Sequence, residues 1–126
     1  MDNWLNLIAK QIPDFNFLDI HSLLNFTYSI DYNETYESAS YLTMGLLVNK
    51  GKERPKLELV LKFKEITDLT MQRVGGSFNQ LLGFSITDIS NAGWESDKRY
   101  KIDDYENDVL HFYCKEIEFI SIKEIA

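Results

Sequence analysis

Residues 57–63 read LELVLKF. Leu57, Leu59, Leu61 and Phe63 alternate with Glu58 and Lys62, the period-two pattern of a strand that buries one face. Val60 sits apolar in the otherwise polar row, and burial on both sides there makes the strand a central one. Working back toward the N-terminus, NKGKERPK (49–56) carries Gly51 and Pro55 and reads as a turn. Before it, Leu42, Met44, Leu46 and Val48 form another strand, and YNETYES (32–38) is an exposed loop. Leu24, Phe26, Tyr28, Ile30 and Tyr32 alternate with Asn25, Thr27, Ser29 and Asp31, which predicts a strand with one buried face. Upstream of these strands the period changes. Trp4, Leu7, Ile8 and Ile12 recur at helical spacing with Asn3 as N-cap and Pro13 as stop. PDFNFLDIHS then connects helix to strand, with a further helical turn at Leu18 to Ser22.

Downstream, Leu69 and Met71 suggest a short strand running to Gly75 and Gly76, a dipeptide suited to a tight hairpin turn. Leu82, Phe84 and Ile86 form the expected return strand, and Tyr100 and Ile102 lie in another, beyond the loop SNAGWESD. Along 109–119, Leu110, Phe112 and Cys114 share one parity while Ile117 and Phe119 take the other. That slip near Glu116 predicts a bulge or bend. The expected fold is α+β: one N-terminal helix packed on a mostly antiparallel sheet of six or seven strands, residues 1–126 forming a single domain. Connections this short leave no room for repeated parallel crossovers.

Thirteen basic residues against twenty acidic ones give a formal charge of -7. That sign repels phosphate backbones and anionic lipid, so neither nucleic acid nor membrane is an expected partner, whereas a basic protein would be steered toward the surface. Residues 64–126 carry most of the excess, with twelve acids to seven bases. The one cysteine, Cys114, has no internal disulfide partner, and MDNWLNLIAK lacks the basic start and apolar stretch of a signal peptide, so the expected location is the cytoplasm.

The acids of YKIDDYENDVLHFYC (100–114) are Asp103, Asp104, Glu106 and Asp108. They lack the alternation, central glycine and later glutamate of an EF-hand calcium loop, and read instead as a hairpin turned by Glu106 and Asn107. His111 and Cys114 lie three apart, on opposite faces of a strand, which disfavours a thiol-imidazole dyad. Asp19 and His21 make an incomplete metal set; a carboxylate orienting a histidine is the simpler reading. Lys50, Lys52, Arg54 and Lys56 read as a solvated turn. No nucleotide-binding glycine motif, nucleophile elbow or zinc-protease helix occurs, so no cofactor, metal or enzymatic activity is expected. Trp94, between Gly93 and Glu95, either folds onto the core or anchors a partner.

Three segments, LELVLKFKEITDL, GGSFNQLLGFSITDISNAGWE and YKIDDYENDVLHFYCKEIEF, resemble a pattern of small bacterial immunity-type proteins of polymorphic toxin systems and their uncharacterised Gram-positive relatives. The likeness spans residues 57–119 and rests on the G-F-x-I-x-D-I, G-W-E and Y-E-N-D-x-x-x-F-Y-C segments, with DIHSLL as a weaker match. It implies a non-enzymatic protein that binds and neutralises a cognate secreted toxin, and a fold role for Gly83, Phe84, Gly93, Phe112 and Tyr113. The acid density of the C-terminal loops then points to Trp94, Glu95, Asp97, Asp103, Asp104, Glu106 and Asp108 as the partner-binding surface. The alternative is a small-ligand-binding or structural module whose pocket would be lined by Tyr28, Phe63, Phe84 and Phe112. Homodimerisation through an edge strand is compatible with either.

Overall fold

The structure is a computed structural model and describes residues 3–76, 79–90 and 98–125. Helix α1, Asn3–Gln11, buries Trp4 and Ile8 one turn apart, and the chain leaves it at Pro13 because proline has no N–H to continue the ladder. A single 3₁₀ turn follows at Phe17–Asp19. The Asn16 side chain accepts from the Leu18 N–H and the Asp19 carboxylate accepts from the Asn16 N–H, closing a capping box. Trp4 is thereby brought against Phe17 and, edge-on, Tyr100, and Phe17 against Phe84, so the N-terminal segment is pinned to the sheets by aromatic contact.

Among the described residues eight strands follow: β1 Ile20–Tyr32, β2 Ser38–Val48, β3 Leu57–Lys64, β4 Thr67–Met71, β5 Phe84–Asp88, β6 Tyr100–Asp104, β7 Leu110–Cys114 and β8 Glu116–Glu124. They form two four-stranded sheets, β1-β2-β3-β8 and β4-β7-β6-β5, and every pairing is antiparallel. The helix and the antiparallel character match the sequence reading; the single sheet of six or seven strands does not. The difference arises where the one strand expected over 109–119 divides and where the chain leaves β3 for β4. The parity slip near Glu116 is a break at Lys115 that carries the chain from β7 in one sheet to β8 in the other. The matching break follows Lys64, where Glu65 takes a positive φ of 57° and β4 departs from the line of β3.

The expected hairpin at Gly75 and Gly76 also fails. Both glycines have positive φ, yet β4 pairs with β7 and β5 with β6, at opposite edges of the sheet. Locally flexible backbone permitted a reversal, and the long-range pairings of β4 and β5 placed the strands apart. Gly83 has a firmer requirement: its φ is +70° and a Cβ there would lie 2.6 Å from the Tyr105 ring.

LELVLKF is the central strand its pattern announced, flanked by β2 and β8. Leu59, Leu61 and Phe63 are fully buried, as are Leu42, Met44, Leu46 and Val48 of β2 and Ile102, Phe112 and Cys114 of the second sheet. Phe63 and Phe112 meet edge to face at a centroid distance of 5.1 Å, joining the sheets through their interior. Cys114 lies among apolar groups whose low polarity pushes its thiol up to about 12, which keeps it protonated and unreactive. His111 is half-buried on the opposite face, against Tyr113, as residues three apart on a strand require.

Replacing Phe112 by alanine should cost about 3–5 kcal/mol, because the ring is wholly buried at the contact between sheets. Urea unfolding would show this as a lower midpoint.

Candidate functional site

β1 divides into two halves with different surroundings. Ile20, Ser22 and Leu23 are buried, and register shifts separate Ile20 from Ser22 and Leu23 from Asn25. From Asn25 onward the strand pairs with β2 without interruption to Tyr32. Within this region the apolar face read from the sequence is present but not buried: Leu24, Phe26, Tyr28, Ile30 and Tyr32 are between 43% and 71% exposed. Pairing explains why. Phe26 lies opposite Met44 and Tyr28 opposite Leu42, so both point toward the core side of the sheet. Met44 and Leu42 are fully buried while their β1 neighbours are not, so the cover supplied by the second sheet ends at β2.

The outer edge of β1 is closed over a short length only. The Leu23 N–H donates to Asn79 O and the Leu81 N–H to His21 O, each at 2.9 Å. Past that point, among the described residues, no further backbone hydrogen bond reaches the outer edge across 25–31. The Tyr32 N–H is taken by the Asp31 carboxylate at 2.7 Å.

Beyond Tyr32 the β1–β2 hairpin is organised by Asn33. Its side-chain oxygen accepts from the Thr35 hydroxyl and from the N–H groups of Thr35 and Glu37, and its Nδ2 donates to Glu65 at 3.0 Å. Asp31, Glu34, Glu37 and Glu65 gather around this end of the sheet, and among the described residues none of the four joins an ion pair. The basic 49–56 turn is the converse case. Two of its four cations are spent internally: Lys50 contacts Asp14 and Asp19, and Arg54 contacts Asp14. The Arg54 guanidinium holds the Asp14 carboxyl down at about 2. Asp19, expected to orient His21, accepts instead from Lys50 at 2.7 Å and from Asn16.

The acidic C-terminal surface is less uniform than the sequence suggested. β6 and β7 pair as a hairpin, with Glu106 and Asn107 in its turn. Glu106 and Asp108 are exposed, but Asp103 is half-buried and accepts from the Ser85 hydroxyl at 2.9 Å. Asp104 is completely buried, its Oδ1 accepting the N–H groups of Val109 at 3.0 Å and Leu110 at 2.8 Å. It serves the turn and does not belong to an open surface. Alternation held the signal: Asp104 shares its parity with the buried Tyr100 and Ile102. Asp108 takes a positive φ of 51° and accepts from Gln72 through its backbone oxygen at 2.6 Å. Trp94, Glu95 and Asp97 lie outside the described residues.

No three His, Cys, Asp or Glu side chains among the described residues gather as a metal site. The aromatic set imagined around a ligand pocket does not enclose one. Phe63, Phe84 and Phe112 fill the core, and Tyr28 stands on the surface with its hydroxyl on Ser40. The geometry therefore offers binding surfaces: an apolar strand edge with acids at one end, and a smaller acidic turn.

The family model described as Immunity protein PIM8 matches residues 9–120, and the chain belongs to that family. The match encloses the whole 57–119 stretch and extends back through β1 into the helix. No curated protein and no solved structure matches the chain. Membership indicates a toxin-neutralising role in general terms.

Asp104→Ala should destabilise the fold by about 1–3 kcal/mol by orphaning two buried amides. Burial is the largest influence on this carboxyl and raises its pKa above 3.8. The folded state therefore holds the proton more firmly than the unfolded chain, and the contribution of Asp104 declines as pH rises from below 3.8 through the raised value. Relative to Asp104→Asn, the wild type should gain stability as pH falls from 7 toward 4, checked by thermal unfolding of the pair across that range.

Proposed function

We propose that this immunity-family chain acts as a single-domain, non-enzymatic, cytoplasmic protein that binds the toxin domain cognate to it and holds that toxin inactive. One observation carries the reading: Phe26, Tyr28, Ile30 and Tyr32 stand in an exposed row beside β2, whose Met44 and Leu42, opposite Phe26 and Tyr28, are fully buried. Scattered exposed apolar residues are ordinary, but a contiguous row of large ones marks a place where another molecule covers the surface. Two of the four are tyrosines, which supply large contact area with few rotatable bonds and keep a hydroxyl for hydrogen bonding.

Inhibition by occlusion needs complementary shape and charge and no catalytic group. The charge of -7 favours a basic toxin domain and speeds its capture. The same sign weighs against nucleic acid and anionic membranes as partners. The C-terminal acids remain part of the proposal as a steering rim: Glu106 and Asp108 present exposed carboxylates and Asp103 a partly exposed one, and Trp94, Glu95 and Asp97 stay in the set expected from the sequence, from which the buried Asp104 is dropped.

The direct test is to express the C-terminal domain of the large protein encoded by the adjacent gene, with and without this chain. Restored growth and a one-to-one complex by calorimetry are the expected results; loss of both would refute the pairing. In the same complex, Glu106→Lys combined with Asp108→Lys should lower the association rate about tenfold at low salt and leave dissociation nearly unchanged, as measured by stopped flow, because rim charges act on encounter. An unchanged rate would remove the turn from the steering surface.

A further inference from the structure

We infer that the toxin engages this protein by laying an extended segment along the free outer edge of β1, over residues 25–31, and that the segment combines apolar residues with lysine or arginine. The inference rests on the immunity reading above and adds the mode of docking and the chemistry of the docked segment.

The four sheet edges differ in how they are protected. β8 packs beside α1 and carries Glu116, Glu118, Lys123 and Glu124. β5 is five residues long and packs beside the 3₁₀ turn. β4 is equally short, with a register break between Thr67 and Thr70 and a positive φ of 55° at Asp68. Short length, charge, bulges and covering elements are the usual devices that keep an edge from pairing with another chain. β1 is the longest strand, 13 residues, and from Asn25 it runs in unbroken register with β2. Among the described residues its outer edge there has no such protection until Asp31 closes the Tyr32 amide.

An added strand would satisfy the outward backbone groups of β1 and place alternate side chains beside Phe26, Tyr28 and Ile30. Its other side chains would lie beside Asn25, Thr27, Ser29 and Asp31. Asp31, Glu34, Glu37 and Glu65, which among the described residues accept neutral hydrogen bonds at most and join no ion pair, match a segment that carries cations there. Lys62, over the Tyr41 ring, Lys64, paired with Glu118, and Lys115 line the same surface and offset part of this charge, but the acids there outnumber them. A second copy of the chain is the rival occupant of such an edge. Two chains each at -7 repel, and a basic strand is attracted.

The test uses the full chain and the C-terminal domain encoded by the adjacent gene. Tyr28→Lys and Ile30→Lys place cations on exposed positions, so folding should persist, verified by thermal unfolding. The double variant should bind at least about 30-fold more weakly, and amides in 25–31 that exchange freely in the unbound protein should exchange about tenfold or more slowly in the complex. Undiminished binding by the double variant, with protection elsewhere, overturns strand addition and leaves the immunity reading standing. Wild-type protein that neither binds nor protects cells overturns both. A wild-type dimer in sedimentation that Ile30→Lys dissolves would assign the edge to self-association and overturn the toxin segment.

Discussion

The fold depends on a corner that two neighbouring strands turn together. β3 and β8 are paired as far as Lys64 and Glu116, and just beyond, Thr67 of β4 is paired with Tyr113 of β7. Between these points both chains pass from one sheet to the other, held by the Lys115 N–H to Lys64 O and the Ile66 N–H to Ser40 O, each at 3.0 Å. Glu65 at the bend adopts the left-handed backbone region, a strain of order 1–3 kcal/mol for a residue with a Cβ. Its side chain is held by Asn33, and the Phe63–Phe112 contact lies in the interior. The remaining strands extend from this bent pair: β2 and β1 on one sheet, β6 and β5 on the other.

Much of this architecture was legible because alternation is a direct image of a pleated surface. LELVLKF announced a central strand, although Val60 is only half-buried, and the change of parity after Cys114 announced a bend but not the passage into a second sheet. Two other features could not be read in the same way. Gly75 and Gly76 permit a tight turn, but whether their flanking strands pair depends on β6 and β7, which come later in the chain. The apolar face of β1 was legible as a face, while its cover was not: periodicity reports which side chains point together, and only the extent of the opposing sheet decides whether they are buried. Asp104 failed for a simpler reason. Reading DDYEND as one polar run hid the fact that one of its acids continues the inward row of Tyr100 and Ile102.

The distribution of ion pairs sharpens the excess charge into particular surfaces. Cations are drawn into internal work: Lys50 and Arg54 tie the 49–56 turn to Asp14 and Asp19, and Lys123 meets Glu58 across the β3–β8 pair. Glu58 also accepts from Asn25, and Gly45 leaves the space for that approach, since a Cβ there would sit 2.7 Å from both side chains. Acids without such partners remain around the β1–β2 hairpin and, to a smaller extent, on the β6–β7 turn. Long-range attraction of a basic molecule would therefore be strongest toward the ends of the sheets, within roughly a Debye length of 8–10 Å in physiological salt.

The helical segments of this chain cover other edges than β1: α1 lies beside β8 and the 3₁₀ turn beside β5, while residues 79–81 reach β1 only near its start, at His21 to Leu23. A second helix over β1 would bury Phe26, Tyr28 and Ile30 and add apolar burial at about 25 cal/mol per Å², but it would also remove the one long unprotected edge. The exposed row is thus a stability cost that the buried interior sustains, and the negative charge opposes the self-association that such an edge invites. On the proposed reading the partner would supply the missing layer, and that calls for this combination: a core complete enough to fold alone, and an edge left for the partner to cover.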